Sequence, residues 1–322
     1  MFVPLVQNET LKIFRRRRFT IVVGILVAII TLISYAQHQR LAATRNRNWR
    51  AEVQQRVTGL QNAMRRAPNE EWARWGRTEI ARLQFYLDHD IEPNKPTSPL
   101  VVRVVANVAG WLLPLLVAML GSDIVSAESA EGTDKLLLTR PVRRWKVLAA
   151  KLVTLWIFAT LTLVAAAVLS WAISSLFLPR IGWTAPSFSG FQLRGGTIRL
   201  DGVRQLPLWR DALVAYGLAW YALLAVSGIM LMLSVLFRSS AASIGTMLAS
   251  LIGGTILVRI APEWTAGKYL FVSALTIADY YTGAPPPYDG MTIRFCLVLL
   301  TAWAVGTITI AFVQFTRRDV FG

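Results

Sequence analysis

The sequence predicts an all-α polytopic membrane protein: six transmembrane helices, an N-terminal amphipathic helix, an outer helical hairpin and a short outer re-entrant helix. Three observations lead there. Of 322 residues, 54% are hydrophobic. These gather into charge-free runs of about 18 to 27 residues, and roughly 20 suffice to cross a bilayer. Between the runs lie basic clusters and polar helical stretches instead of the short alternating patterns of a soluble core.

Residues 1–18 form the amphipathic start, and the spans fall at 19–36, 104–122, 152–178, 212–237, 240–258 and 295–316. The stretch 212–258 is nearly continuous, and as one helix it would run about 70 Å, more than twice the hydrocarbon thickness. Arg238, Ser239 and Ser240 supply the turn that divides it. Arg15 to Arg18 followed by apolar residues and Ser34, Tyr35 and Ala36 resembles a secretory signal, but the run is long and further spans follow, so it is read as a retained span.

Lys and Arg near span ends set orientation. Lys12, Arg15 to Arg18, Lys135, Arg140, Arg143, Arg144, Lys146, Lys151, Arg317 and Arg318 share one side if there are six spans. Both termini are therefore expected in the cytoplasm, with 317–322 as a short tail. The segment 37–100 carries eleven basic and seven acidic residues, but long loops translocate largely regardless of charge. The net charge of +16 belongs to span-flanking arginines that meet anionic headgroups, so membrane lipid is an expected partner and nucleic acid is not. Cys296, the one cysteine, lies inside an apolar run and excludes an internal disulfide.

Within the outer segment 37–103, Trp49, Val53, Val57 and Leu60 recur at helical spacing. After Pro68 and Asn69, Glu70 and Glu71 open a second helix, with Trp72, Trp75, Ile80, Leu83 and Leu87 near one face. The outer loop 179–211 holds an alternating stretch, 191–200, around Gly195 and Gly196 that predicts a small β-hairpin. In the outer segment 260–294, residues 268–282 are apolar but too short to span, which suits a re-entrant or interfacial helix.

Catalytic chemistry is missing from the inventory. No phosphate-cradling G-x-x-x-x-G-K-[ST] loop and no H-E-x-x-H pair occurs, and His38 and His89 are far apart. The span centres lack ionisable relays, Asn107 being the main polar group. Ala241, Gly245, Ala249 and Gly253 repeat every four residues on the fifth span, as Thr162, Ala166, Ser170 and Ser174 do on the third. Small residues at that spacing let helices approach closely, and packing within the subunit is the simpler expectation for both. Pro114 removes one backbone donor from the second span and should kink it.

The loop 123–151 is the most informative stretch. An acidic segment leads, Gly132 breaks it, Leu136, Leu137 and Leu138 form an apolar patch, Pro141 stops it, and a basic cluster follows. Such a patch suits a partner's groove, and equally a helix lying on the membrane. Here the sequence resembles the ABC-2-type exporter permeases, through Glu128, Gly132, Thr133, Leu136, Leu137, Pro141, Val142, Arg144 and Lys151. Further similar stretches are Glu9, Lys12 and the arginine run, Leu236 to Ser240, and the ending Phe315 to Asp319. Asp134 departs from the pattern, standing where a leucine is more usual.

The resemblance implies a transport subunit of a bacterial cytoplasmic membrane, with no catalytic site, metal or cofactor of its own. ATP and Mg would be bound by a separate cytoplasmic ATPase, present in two copies. It would dock on Ile124, Glu128, Glu131, Gly132, Thr133, Leu136, Leu137, Pro141 and Arg144. A second copy of the chain, or a similar permease, would complete the complex. A different class remains open: a membrane scaffold or sensor whose outer hairpin binds a ligand and whose cytoplasmic loop signals.

Overall fold

The computed structural model describes residues 2–15, 17–44, 48–65, 70–90, 92, 95–126, 143–189, 192–194, 197–199, 204–237, 239–261, 263–281, 286–288 and 290–317. Ten α-helices occur among them: α1 (Phe2–Arg15), α2 (Arg18–Thr44), α3 (Trp49–Met64), α4 (Glu70–Asp88), α5 (Ser98–Gly121), α6 (Arg144–Phe177), α7 (Leu208–Leu236), α8 (Ser240–Ile260), α9 (Ile277–Tyr281) and α10 (Ile293–Arg317). Six of these, α2, α5, α6, α7, α8 and α10, are long and apolar enough to cross a membrane. The protein is a helical multi-pass membrane protein.

Local chemistry sets several boundaries. Ser239 caps α8 by accepting from the Ala242 N–H, which confirms a break between the fourth and fifth spans. Thr97 caps α5, whose first turn holds Pro99. α5 runs on through Pro114. Several serine and threonine side chains inside the spans turn back on their own helices. Thr162 donates to the Phe158 carbonyl at 2.7 Å and Ser227 to the Leu223 carbonyl at 2.7 Å. Those hydroxyls are then not left bare in hydrocarbon.

α5 and α7 form the axis of the bundle. Their apolar windows are 67% and 72% buried, against 22–44% for the other four spans. α7 can occupy that position because its inner faces are small: Ala215, Ala219, Ala222, Ala225 and Gly228 are all buried. The stripe Thr162, Ala166, Ser170 and Ser174 of α6 is also fully buried, and Ser174 meets Ser98 of α5 at 2.6 Å. The corresponding expectation for α8 is corrected. Ala241, Gly245, Ala249 and Gly253 are exposed, and a Cβ on Gly245 or Gly253 would meet nothing within 4 Å. The inward face of α8 is instead Ser243, Met247 and Leu251, two residues on and so on the opposite side of the helix.

At the end of the bundle away from the termini, α3 and α4 form the predicted hairpin. Val53, Val57 and Leu83 make its small core, flanked by Trp49, Leu60, Ile80 and Leu87. Strand β2 (Gln192–Arg194) pairs antiparallel with β3 (Thr197–Arg199) around 195–196, as predicted. A second ribbon, β1 (Pro186–Ser189) with β4 (Arg204–Pro207), continues into α7. Residues 265–281 re-enter the bundle as two 3-10 turns, Thr265–Tyr269 and Phe271–Ala274, followed by α9; no single helix covers the stretch. Phe271, Val272, Leu275 and Ile277 join the main core, and the Leu275 carbonyl lies 3.0 Å from where a Cβ on Gly110 would sit. Gly110 is twelve residues into α5, about 18 Å along it. Exposed aromatics with a neighbouring cation mark both ends: Trp145 with Lys146, Trp209 with Arg210, and Tyr269 with Lys268.

The close approach at Gly110 leaves no room for a side chain. Gly110→Leu is expected to lower thermal stability in detergent, the cost of overpacking being about 1–3 kcal/mol. Gly217→Leu, at a position open to space, should leave the melting temperature near that of the parent.

Candidate functional site

The terminus end carries a buried polar cluster that ties three chain segments together. Lys151, in the second turn of α6, has no exposed surface. Its Nζ donates to Glu9 Oε2 of α1 at 2.9 Å and to the Ile124 carbonyl at 2.7 Å. Glu9 Oε1 accepts from Lys12 at 2.9 Å. A buried ammonium needs both a counter-charge and hydrogen-bond acceptors, and the two contacts supply them. Glu9 can reach it because Val6, Glu9 and Ile13 share one side of α1, with Glu9 and Ile13 buried.

A second set of bonds fixes the segment 122–126. Arg18 donates to the Met119 carbonyl at 3.0 Å and to Ser122 Oγ at 3.1 Å, and pairs with Asp123 at 2.9 Å. The N–H groups of Val125 and Ser126 both donate to Ser234 Oγ of α7, at 3.0 and 3.1 Å. Ser126 also meets Ser240 of α8 at 3.2 Å. Residues 122–126 and the start of α6 are therefore two fixed roots, and 127–142 is the chain between them.

The predicted docking residues divide accordingly. Ile124 is 6% exposed and contributes its carbonyl to Lys151, so its side chain is no docking surface. Arg144 opens α6 and donates to the Thr316 carbonyl at 3.4 Å. Glu128, Glu131, Gly132, Thr133, Leu136, Leu137 and Pro141 lie outside the described residues. The sequence shows Glu9 only within the stretches similar to the permeases, and Arg18 and Lys151 also as span-flanking charges; nothing local pairs them with each other or with Asp123. The available signal was a lone lysine ahead of 27 uncharged residues, 152 to 178.

The opposite end carries its own buried pair. Arg103 of α5 donates through Nε to Asp211 of α7 at 2.7 Å, both side chains being at most 6% exposed. Its Nη1 donates to Asn107, and its charge acts on Asp279 of α9. Tyr216 donates to the Val102 carbonyl at 3.1 Å. Above this pair, burial raises the Tyr86 phenol of α4, with Arg82 acting the other way and Asp211 adding to the rise. The hairpin thus sits within electrostatic reach of the α5–α7 pair. The spans carry charges only near their ends, as expected, but Arg103, Asp211 and Lys151 among them are buried and paired where the sequence suggested bare apolar helices. No group of three or more His, Cys, Asp or Glu side chains that could hold a metal occurs among the described residues.

Fold and clusters together define a six-span membrane protein whose ionic contacts join its helices at both ends. The chain belongs to the family described as protein of unknown function DUF2705, matched over residues 74–321. It is similar to the uncharacterized protein YhcI of Bacillus subtilis (strain 168), at 28% identity over 320 residues and 98% of each chain. It is also similar to the uncharacterized membrane protein YdbK of the same organism, at 29% identity over 213 residues. That match spans 65% of this chain and 78% of the relative.

Removing one partner of a buried ion pair strands the other charge, which costs about 3–5 kcal/mol. Lys151→Ala is expected to destabilise the protein by that order in thermal unfolding. A Glu9→Gln, Lys151→Met double variant, which removes both charges, should recover most of the loss.

Proposed function

We propose that this chain is the membrane subunit of an ATP-driven exporter, and that a separate cytoplasmic ATPase docks on residues 127–142. The observation that carries the reading is the anchoring of the two segments that flank that loop. The motif-bearing stretch joins two roots bonded to four spanning helices and to α1. Force delivered to those roots would pass directly to the helices they are bonded to. The absence of a phosphate-cradling loop in the sequence agrees with an energy source in another chain. In this reading the termini are cytoplasmic, the membrane is the cytoplasmic membrane of a bacterium, and ATP and Mg stay with the partner.

The exposed small-residue stripe of α8 supports a complex of two copies of this chain, or of this chain and a similar one. Ala241, Gly245, Ala249 and Gly253 would admit a second backbone closely. Gly245→Phe should shift the native mass of the complex towards one permease subunit while leaving the single chain folded.

The scaffold or sensor reading draws on the hairpin, whose core is separate from that of the bundle. One experiment separates the two. Burying a leucine contributes roughly 1.5–3 kcal/mol, so a Leu136→Asp, Leu137→Asp double variant should weaken ATPase association at least ten- to a hundredfold. Co-purification of an ATPase with the parent chain and its loss in the variant supports the exporter. Retained ATPase and retained transport in the variant would refute loop docking. Finding no ATPase with the parent chain would favour the sensor.

A further inference from the structure

α1 has three distinct sides, and the bundle buries only one of them. Val6, Glu9 and Ile13 face the other helices. Val3, Gln7, Leu11 and Phe14 follow one another at i, i+4, i+8 and i+11 on a second side. There Val3 is 64% exposed, Leu11 55% and Phe14 45%. Asn8, Lys12 and Arg15 form the third side.

The apolar side is continuous with surfaces that must themselves face lipid. The Phe14 ring packs against Phe158 of α6 and Phe19 of α2, at 5.1 and 5.6 Å between centroids. Ile21, Ile157 and Leu161 on those helices are exposed. Around the same end stand the exposed cations Arg15, Arg17, Arg143 and Arg317. Arg17 holds a left-handed backbone, φ 54°, which disfavours any residue with a Cβ by roughly 1–2 kcal/mol. A glycine would relax that turn, so an arginine there points to a use for its charge.

We infer that α1 docks on the anionic headgroup layer of the bilayer and that this docking sets the position of segment 122–126. The apolar side enters the acyl boundary and the basic side meets lipid phosphates, the arrangement of an interfacial helix. Lys151 transmits the position of α1, because one ammonium holds both Glu9 and the Ile124 carbonyl. The inference requires only the membrane fold, and it stands or falls separately from the exporter reading.

The full chain, placed in nanodiscs of phosphatidylcholine or of an equal mixture with phosphatidylglycerol, tests it. Spin labels at Gln7→Cys and Asn8→Cys report contact with lipid-soluble oxygen or a water-soluble nickel chelate. Hydrogen exchange reports on 122–126. In the anionic discs the position-7 label should favour oxygen and the position-8 label the chelate. In neutral discs, or at high salt, which screens the charges, position 7 should become accessible to the chelate and exchange in 122–126 should rise several-fold. Arg17→Gly combined with Lys12→Gln and Arg15→Gln should behave in anionic discs as the parent does in neutral ones. Glu9→Gln should keep position 7 in lipid yet exchange rapidly at 122–126 in both. A position-7 label indifferent to lipid charge would overturn the docking. Exchange at 122–126 blind to lipid charge would overturn the transmission. Shielding of position 7 that arises only when an ATPase is added would assign the face to a protein instead.

Discussion

Organisation of the terminus end depends on a lysine that cannot reach water. An ammonium in that position is tolerable only with a carboxylate and a carbonyl held against it. Glu9 and Ile124 meet that demand from opposite directions. Satisfying Lys151 thereby fixes where α1 lies and where the chain leaves α5. Arg18 and Ser234 reinforce the second of these positions by taking up carbonyls and N–H groups that the end of α5 would otherwise leave without partners.

The same requirement shapes the membrane interior in another way. Lipid competes with side chains for apolar contact, so helices associate through close packing and not through hydrophobic exclusion. α7 answers with alanines on its buried faces, and α6 with Thr162, Ala166, Ser170 and Ser174. Gly110 and Gly254 answer differently, by making room for the re-entrant turns: a Cβ on Gly254 would come within 2.8 Å of Val272. The buried Arg103–Asp211 pair then joins the two axial helices at the end where those turns enter.

This arrangement bears on both functional readings. An exporter subunit needs a stiff route from a cytoplasmic loop into its spans, and the Lys151 and Ser234 contacts are short, buried and shared between elements. A sensor needs a route from the hairpin, and Tyr86, whose phenol lies within the electrostatic influence of Asp211, is the group that would serve. The two routes run through opposite ends of α5 and α7, so perturbing one leaves the other in place.

Much of the architecture was legible from residue order alone. The six spans, the two halves of the hairpin with Val53, Val57 and Leu83 inside, and the pairing of 192–194 with 197–199 all follow from apolar length, helical period and glycine placement, which are local properties. The second ribbon was not legible, because its strands, 186–189 and 204–207, are far apart in sequence and no tight turn signal joins them directly. The facing of α8 was not legible either. In a bilayer both sides of a helix are apolar, so no polarity gradient tells the Gly245 side from the Met247 side. Nor could local pattern join Glu9 to Lys151, which lie 142 residues apart. The sequence by itself determined which segments cross the membrane, since crossing depends on the length and hydrophobicity of one stretch. Tertiary structure decided which faces meet and which charges pair, since those depend on the distance between stretches that only the folded bundle brings together.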